Sequence, residues 1–242
     1  MAESPPTVKE FDFQNPLQGL PPEYFAGVPI EVLRAAGLAC MNASKTIKSS
    51  GDLKKTFVLY QQESPKDEFN HVLLATFYAA AIAHSLDWVG PKSLERLLMG
   101  CLLHNVGMMK LPAALRQKHP SKLTPEEEQI YHQHPRVGVN FLLQFSSVDE
   151  ALRQVVYQHH EHADGSGFPN RLTNLKIYPL ARVASLATYF AYALVHEKIA
   201  PIVLLKRFMT SRAEMVKFDP LNIRALVKVF IKSEDPKKKG KG

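Results

Sequence analysis

Apolar residues recur every three to four positions through most of the chain after Pro65, the spacing of helices that bury one face. Asp67–Trp88 is a long periodic segment with acids in its first turn, where the helix dipole favours negative charge. Pro91–His104 follows, with Gly107 and Pro112 as stop signals. In Leu123-Thr124-Pro125-Glu126-Glu127-Glu128 a threonine stands at the N-cap position and a proline at the first helical one, ahead of acids. They open a helix predicted to reach His134. Gly138–Phe145 and Val148–His160 continue the helical pattern, a loop marked by proline and glycine spans Ala163–Pro179, and Leu180–Val195 and Leu221–Ile231 are amphipathic. Before Pro65 the pattern is mixed. Pro29–Ala39 fits a short helix, Ser49-Ser50-Gly51-Asp52 a turn and Lys55–Gln61 (KTFVLYQ) a strand. The expected architecture is mainly α: a small N-terminal α/β unit with an irregular lead-in over 1–64, a helical domain over 65–231, and a disordered basic tail over 232–242.

Composition narrows the class. In 242 residues, a hydrophobic content of 45% is enough for a sizeable core. The net charge of +7 would point to nucleic acid were it spread over a surface, but much of it lies in the tail Lys237-Lys238-Lys239-Gly240-Lys241. Nucleic acid is therefore not an expected partner. Cys40 and Cys101 form no C-x-x-C pair, which argues against a disulfide scaffold or a zinc ribbon. The longest apolar run, Ala75–Ala83, is too short for a bilayer, and Ala2–Pro6 has no secretory character. A soluble cytoplasmic protein is expected.

The chemistry is carried by histidine. His159-His160 stand directly before Glu161 and the turn Asp164-Gly165-Ser166-Gly167-Phe168-Pro169, while His71, His104 and His134 lie upstream on separate predicted helices. Imidazole is the commonest protein metal ligand. One histidine alone reads as an ordinary core or surface residue, and His84, His119, His132, His162 and His196 are left in that class. The other five, as a set, point to a metal site. Neighbours on a helix face directions about 100° apart, so the doublet must sit at a helix end to converge. Gly165 and Gly167 permit unusual backbone angles, and Asp164 can cap the turn; both are structural reasons for the loop.

From about Asp67 to Tyr192 the chain resembles the HD-GYP domain, the branch of the HD phosphohydrolase superfamily that hydrolyses cyclic di-GMP. The resemblance rests on His71, His104-Asn105-Val106-Gly107 and Leu123-Thr124-Pro125-Glu126-Glu127. It continues through His134-Pro135-x-x-Gly138, His159-His160-Glu161-x-x-Asp164-Gly165-x-Gly167-Phe168-Pro169 and Pro179-Leu180-Ala181-Arg182-Val183. It implies an HD-domain helical bundle holding two or three iron or manganese ions. His71 and His104 would serve one metal position and His134, His159 and His160 another, with Asp67 where trinuclear members carry glutamate. The loop Asp164, Gly165, Gly167, Phe168 and Pro169 would contact partners such as diguanylate cyclases or other signalling proteins.

The departures from that pattern fall on reactive positions. Asn105 replaces the metal-bridging aspartate, Met108 the phosphate-neutralising lysine (with Lys110 two residues away), Thr188 a second metal-binding aspartate and Phe168 the tyrosine. Glu197 lies near where a basic contact to nucleotide is expected. Two dications about 4 Å apart repel by about 16 kcal/mol at an effective dielectric of 20, and neutral imidazoles or an amide offset none of it. The residues therefore argue against a dinuclear centre and for one divalent transition metal, zinc, iron or manganese, on His134, His159 and His160. The expected function is a catalytically impaired sensor, scaffold or interaction module of bacterial cyclic di-GMP signalling. The alternative is an active metal-dependent phosphodiesterase with an unusual site. Binding of cyclic di-GMP itself is the weaker expectation.

Overall fold

The computed structural model describes residues 11–116 and 118–231, so the expected basic tail lies outside the described residues. Twelve α-helices are present among them: α1 (Ile30–Ser49), α2 (Asp52–Glu63), α3 (Lys66–Ala83), α4 (Pro91–Leu103), α5 (Ala113–Arg116), α6 (Pro125–Tyr131), α7 (His134–Leu142), α8 (Glu150–Gln158), α9 (Pro179–Val195), α10 (Pro201–Thr210), α11 (Arg212–Met215) and α12 (Pro220–Val229). The described residues hold no strand; a single bridge pairs Asp164 with Thr173. None of the helices is long and apolar enough to cross a membrane.

The helical reading after Pro65 holds, and the N-terminal α/β reading does not. Lys55–Gln61 lies within α2. Its run of Phe57, Val58, Leu59 and Tyr60 has strand-like composition, but Leu53, Phe57 and Tyr60 are the buried residues and Leu59 is exposed. Spacing of four and three residues describes one helical stripe, so periodicity over three turns overrides a local apolar run. The short helix expected from Pro29 extends to Ser49, burying Ala36, Cys40, Ala43, Ser44 and Ile47 along a similar stripe. Small side chains on that stripe let α1 lie close against α3 and α4. Phe11, Phe13 and Phe57 join the same core as Leu226 and Val229 near the other end of the chain.

Helix α3 is the axis of the bundle. Every residue from Phe69 to Ala83 is buried, with α9 packed along it and α1, α4 and α12 around it. A helix apolar on all sides must be enclosed by others. Burying a single large apolar side chain such as Leu74 or Ile82 contributes about 1.5–3 kcal/mol, so this helix anchors the fold. His71 is carried into the interior with it.

Two turns are set by local chemistry. Thr124 and Glu127 form a reciprocal capping box, with the Glu127 amide donating to Thr124 Oγ1 at 3.3 Å and the Thr124 amide to Glu127 Oε2 at 3.0 Å. The helix predicted to reach His134 is instead two, because Pro135 has no amide hydrogen to continue α6 and is tolerated in the first turn of α7. Farther on, the 3-10 turn Val106–Lys110 meets the start of α7 backbone to backbone. A Cβ on Gly107 would lie 2.1 Å from the His134 carbonyl oxygen and 2.6 Å from the Gly138 amide nitrogen. The glycines of His104-Asn-Val-Gly and His134-Pro-x-x-Gly are thus two halves of one contact, which brings their histidines to one place.

Gly107→Ala is expected to destabilise the protein by about 1–3 kcal/mol, since the methyl would meet backbone on both sides. Gly37→Ala, within α1 and in open space, is expected to stabilise it by about 0.5–1 kcal/mol through helix propensity. Paired chemical denaturation curves measure both; equal midpoints for the two variants would contradict the packing argument.

Candidate metal centre

His104, His134 and His159 share one device. Each sits at a helix end and donates Nδ1–H to the carbonyl three residues earlier: His104 to Cys101 at 2.6 Å, His134 to Tyr131 at 2.8 Å, and His159 to Val156 at 2.7 Å. A carbonyl only accepts, so in the neutral ring the proton is on Nδ1 and the lone pair is on Nε2. His134 Nε2 and His159 Nε2 then face each other 3.2 Å apart with no proton to share. His104 Nε2 and His160 Nε2 are buried without a hydrogen-bond partner. Helix α8 ends at Gln158, which supplies the helix end that the doublet needs to converge. One ring nitrogen from each of His134, His159 and His160 lies within 4.8 Å of the others.

Electrostatics keep these rings neutral. Burial, and then repulsion from His71, pushes His104 down to about 3; burial pushes His134 down to about 4. His159 and His160 are also held well below the ordinary histidine range by burial and by neighbouring imidazoles. Converging imidazole nitrogens, two of them fixed in tautomer by backbone carbonyls and all held neutral by burial, match the donor set of a divalent transition metal. The residues fit such an ion.

His71 belongs to a second group. It donates Nε2–H to the Thr188 carbonyl at 3.1 Å, and its Nδ1 lies 4.0 Å from Glu68 Oε1. His196 Nε2 lies 3.9 Å from Glu68 Oε2. Burial opposes ionisation of Glu68, but the neighbouring His71 side chain outweighs it and holds the carboxyl down at about 2. Asp67, the carboxylate expected here, instead turns outward and faces Lys198 at 3.5 Å. Glu68 was legible as a residue one turn before His71, but a rotation of one residue around α3 chose between neighbouring acids. His196, left as ordinary, is also part of this cluster; nothing in its sequence surroundings marked it.

The positions expected to depart from the family pattern each have partners in the fold. Asn105 Nδ2 donates to Glu68 Oε1 at 2.5 Å, while its buried Oδ1 has no hydrogen-bond partner. The Thr188 hydroxyl is engaged by the carbonyls of His159 and Ser185 at 3.2 and 3.0 Å. Met108 is buried against Leu111 and Leu115. Lys110 lies over the Phe141 ring, 4.6 Å from its centroid. Glu197 lines the site and pairs with Arg207 at 3.5 Å.

The loop after the doublet is held as a rigid wall. Glu161, buried, accepts the amides of Asn170 and Leu172 at 2.7 Å each, and Asp164 Oδ1 accepts the Ser166 amide at 3.0 Å. Gly165 has φ of 80°, and a Cβ on Gly167 would lie 2.3 Å from the His160 carbonyl oxygen, so both positions need glycine. Phe168, joined to Pro169 by a cis peptide bond, stacks between His132 (centroids 3.9 Å apart) and His160 (4.3 Å). The aromatic face, rather than a hydroxyl, buttresses His160. His132 and His162, both taken as ordinary, border the cavity with Phe168, and His119 reaches over it to the Tyr192 hydroxyl at 3.0 Å. The cavity encloses about 300 Å³, and Arg116 and Lys118 stand on its rim.

A family model described as "HD domain" matches residues 54–200, and the chain belongs to that family. It is 32% identical over 126 residues to a cyclic di-GMP phosphodiesterase of Pseudomonas aeruginosa, covering 51% of this chain and 30% of the relative. It is 34% identical over 96 residues to the cyclic di-GMP phosphodiesterase response regulator RpfG of Xanthomonas campestris, covering 38% and 24% respectively. The chain thus spans less than a third of the length of these relatives. Among solved structures, it is similar to Bd1817, an HDG"Y"P protein from Bdellovibrio bacteriovorus, with a TM-score of 0.61 and 21% identity over 93% of this chain and 74% of that one. This likeness supports the fold.

Buried neutral histidines have a stability consequence. Unfolding raises His104 from about 3 and His134 from about 4 towards the ordinary histidine value near 6.5, so the unfolded chain binds more protons between those limits. Metal-free protein is therefore expected to lose stability progressively as pH falls from about 6.5 towards 4. Urea midpoints between pH 7.5 and 4.5 test this; a flat profile would remove the assignment of neutral buried imidazoles.

Proposed function

We propose that this chain is a metal-binding HD-GYP domain of cyclic di-GMP signalling whose hydrolytic capacity is impaired and whose role is sensing or scaffolding. The observation that carries the reading is Asn105 donating its amide hydrogen to Glu68. At the position where the family resemblance implies an anionic bridge between metals, the chain has a neutral donor. It faces a carboxylate rather than replacing one. An amide oxygen carries no net charge to offset two dications, and the Thr188 hydroxyl is engaged with backbone.

One divalent ion would be held by His134, His159 and His160, leaving an open coordination position. Such an ion would act as a Lewis acid towards a phosphoryl oxygen and lower the pKa of a bound water. The protein's own part is to keep the imidazoles neutral, to orient them through the Tyr131 and Val156 carbonyls, and to wall the cavity with Phe168. Phosphate neutralisation is weak: Met108 and Lys110 contribute no charge there, Arg116 is paired with Glu63 at 3.1 Å, and Lys118 is paired with Glu127. The relatives' named activity supports cyclic di-GMP as the related ligand. The rigid Asp164–Pro169 loop is suited to contact a signalling protein such as a diguanylate cyclase.

The test is metal content and turnover together. His159→Ala is expected to remove one equivalent of metal from protein purified without a histidine tag. Wild-type protein supplied with Mn²⁺ or Fe²⁺ is expected to hydrolyse cyclic di-GMP at least a hundredfold more slowly than an active relative assayed alongside. Asn105→Asp combined with Thr188→Asp is expected to raise metal occupancy. Wild-type turnover comparable to the relative, abolished by His159→Ala, would establish the active phosphodiesterase instead.

A further inference from the structure

Seven of the fourteen large apolar side chains exposed among the described residues lie between Ile202 and Ile231, on and beside α10, α11 and α12. Burial shows which sides of these helices face outward. Leu204, Leu205 and Phe208 turn one side of α10 inward, where Phe208 stacks with Phe190 of α9 and lies 5.7 Å from Phe218, in the turn leading to α12. Spacing of four and three residues then puts Ile202, Lys206 and Met209 on the opposite side, beside Val203. On α12, Ile223, Leu226 and Val229 face the core, which leaves Leu221, Arg224 and Lys228 on one outward stripe. Arg212, Met215 and Val216, between the two in the chain, are exposed as well.

The charge on this side has one sign. Lys206, Arg212, Arg224 and Lys228 are exposed and make no ion pair among the described residues. The two acids between Pro201 and Ile231 are both engaged within the protein. Glu214 accepts the Tyr189 hydroxyl and pairs with Lys217 at 3.3 Å, and Asp219 pairs with Arg182 at 2.8 Å. No acidic and no aromatic side chain is exposed over this stretch. In sequence the stretch is followed by Lys237-Lys238-Lys239, which adds to the same sign.

We propose that the outer side of α10, α11 and α12 docks on an anionic lipid bilayer, its aliphatic side chains entering the headgroup boundary and its cations meeting lipid phosphates. Two forces then act together: apolar surface leaves water, and lysine and arginine are drawn to the negative surface potential. Charge complementarity and side-chain type select this occupant. Protein interfaces centre on aromatic anchors, and none is exposed here. A fluid bilayer requires only aliphatic side chains among uncompensated positive charges. No residue of these three helices lines the histidine cavity, so the surface is independent of the metal reading.

The experiment is flotation of the full chain with vesicles of phosphatidylcholine alone or of equal parts phosphatidylcholine and phosphatidylglycerol, with circular dichroism to confirm that each variant is folded. Wild type is expected to float with the mixed vesicles, to stay behind with phosphatidylcholine alone, and to be released by high salt. Ile202→Ser with Met209→Ser, and separately Lys206→Glu with Arg212→Glu, should each weaken partitioning by about tenfold or more. Leu143→Ser, at a position 60% exposed beyond α7, should leave it unchanged. A wild type that does not float with the mixed vesicles would overturn the proposal. So would partitioning unchanged in both double variants; its loss on replacing Lys237, Lys238 and Lys239 by Gln would then assign the attraction to the tail alone. A wild-type dimer by light scattering that Ile202→Ser with Met209→Ser makes monomeric, without flotation, would give this side to a second copy of the chain instead.

Discussion

A neutral imidazole has one proton to donate, and in this protein His104, His134 and His159 each give it to the carbonyl three residues back. That local bond decides the tautomer, the tautomer decides which nitrogen carries the lone pair, and the helix end decides where it faces. The site depends on this repeated constraint. It works because the rings are buried: an exposed imidazole could exchange tautomers or take up a proton, whereas burial holds these rings well below the ordinary histidine range.

The frame that gathers these helix ends is close packing of backbone. Gly107 meets the first turn of α7, Gly167 meets the strip from His160 to His162, and Gly100 faces Val155 between α4 and α8. At each point even a methyl group would collide. These contacts depend on the absence of a side chain, so they persist whatever occupies the reactive positions. The residues at 105, 108 and 188 find partners inside the same frame: Glu68, an apolar cluster, and two carbonyls respectively. A folded scaffold can therefore carry altered chemistry without strain on its core.

Much of this was legible along the chain. Periodicity marked α3, α4, α8, α9 and α12, the capping pattern at Thr124 marked α6, and the motif histidines marked the site. Misreadings arose where a short window was ambiguous. Phe57–Tyr60 has strand-like composition in isolation, and only Leu53, one turn earlier, makes the stripe helical. Asp67 and Glu68 were both reasonable acids near His71. Their side chains differ by one residue of helical rotation, which places one against Lys198 and the other beside His71.

By itself, the sequence determined the helical class after Pro65 and the helix-end positions of His104, His134 and His159, because these follow from periodicity and capping. Tertiary structure alone decided that Glu68 and His196 join His71, that Lys110 rests on Phe141, and that Phe168 is clasped between two imidazoles. Each of those depends on how helices distant in the chain are rotated against one another. That rotation is set by the whole buried surface, and no local pattern encodes it.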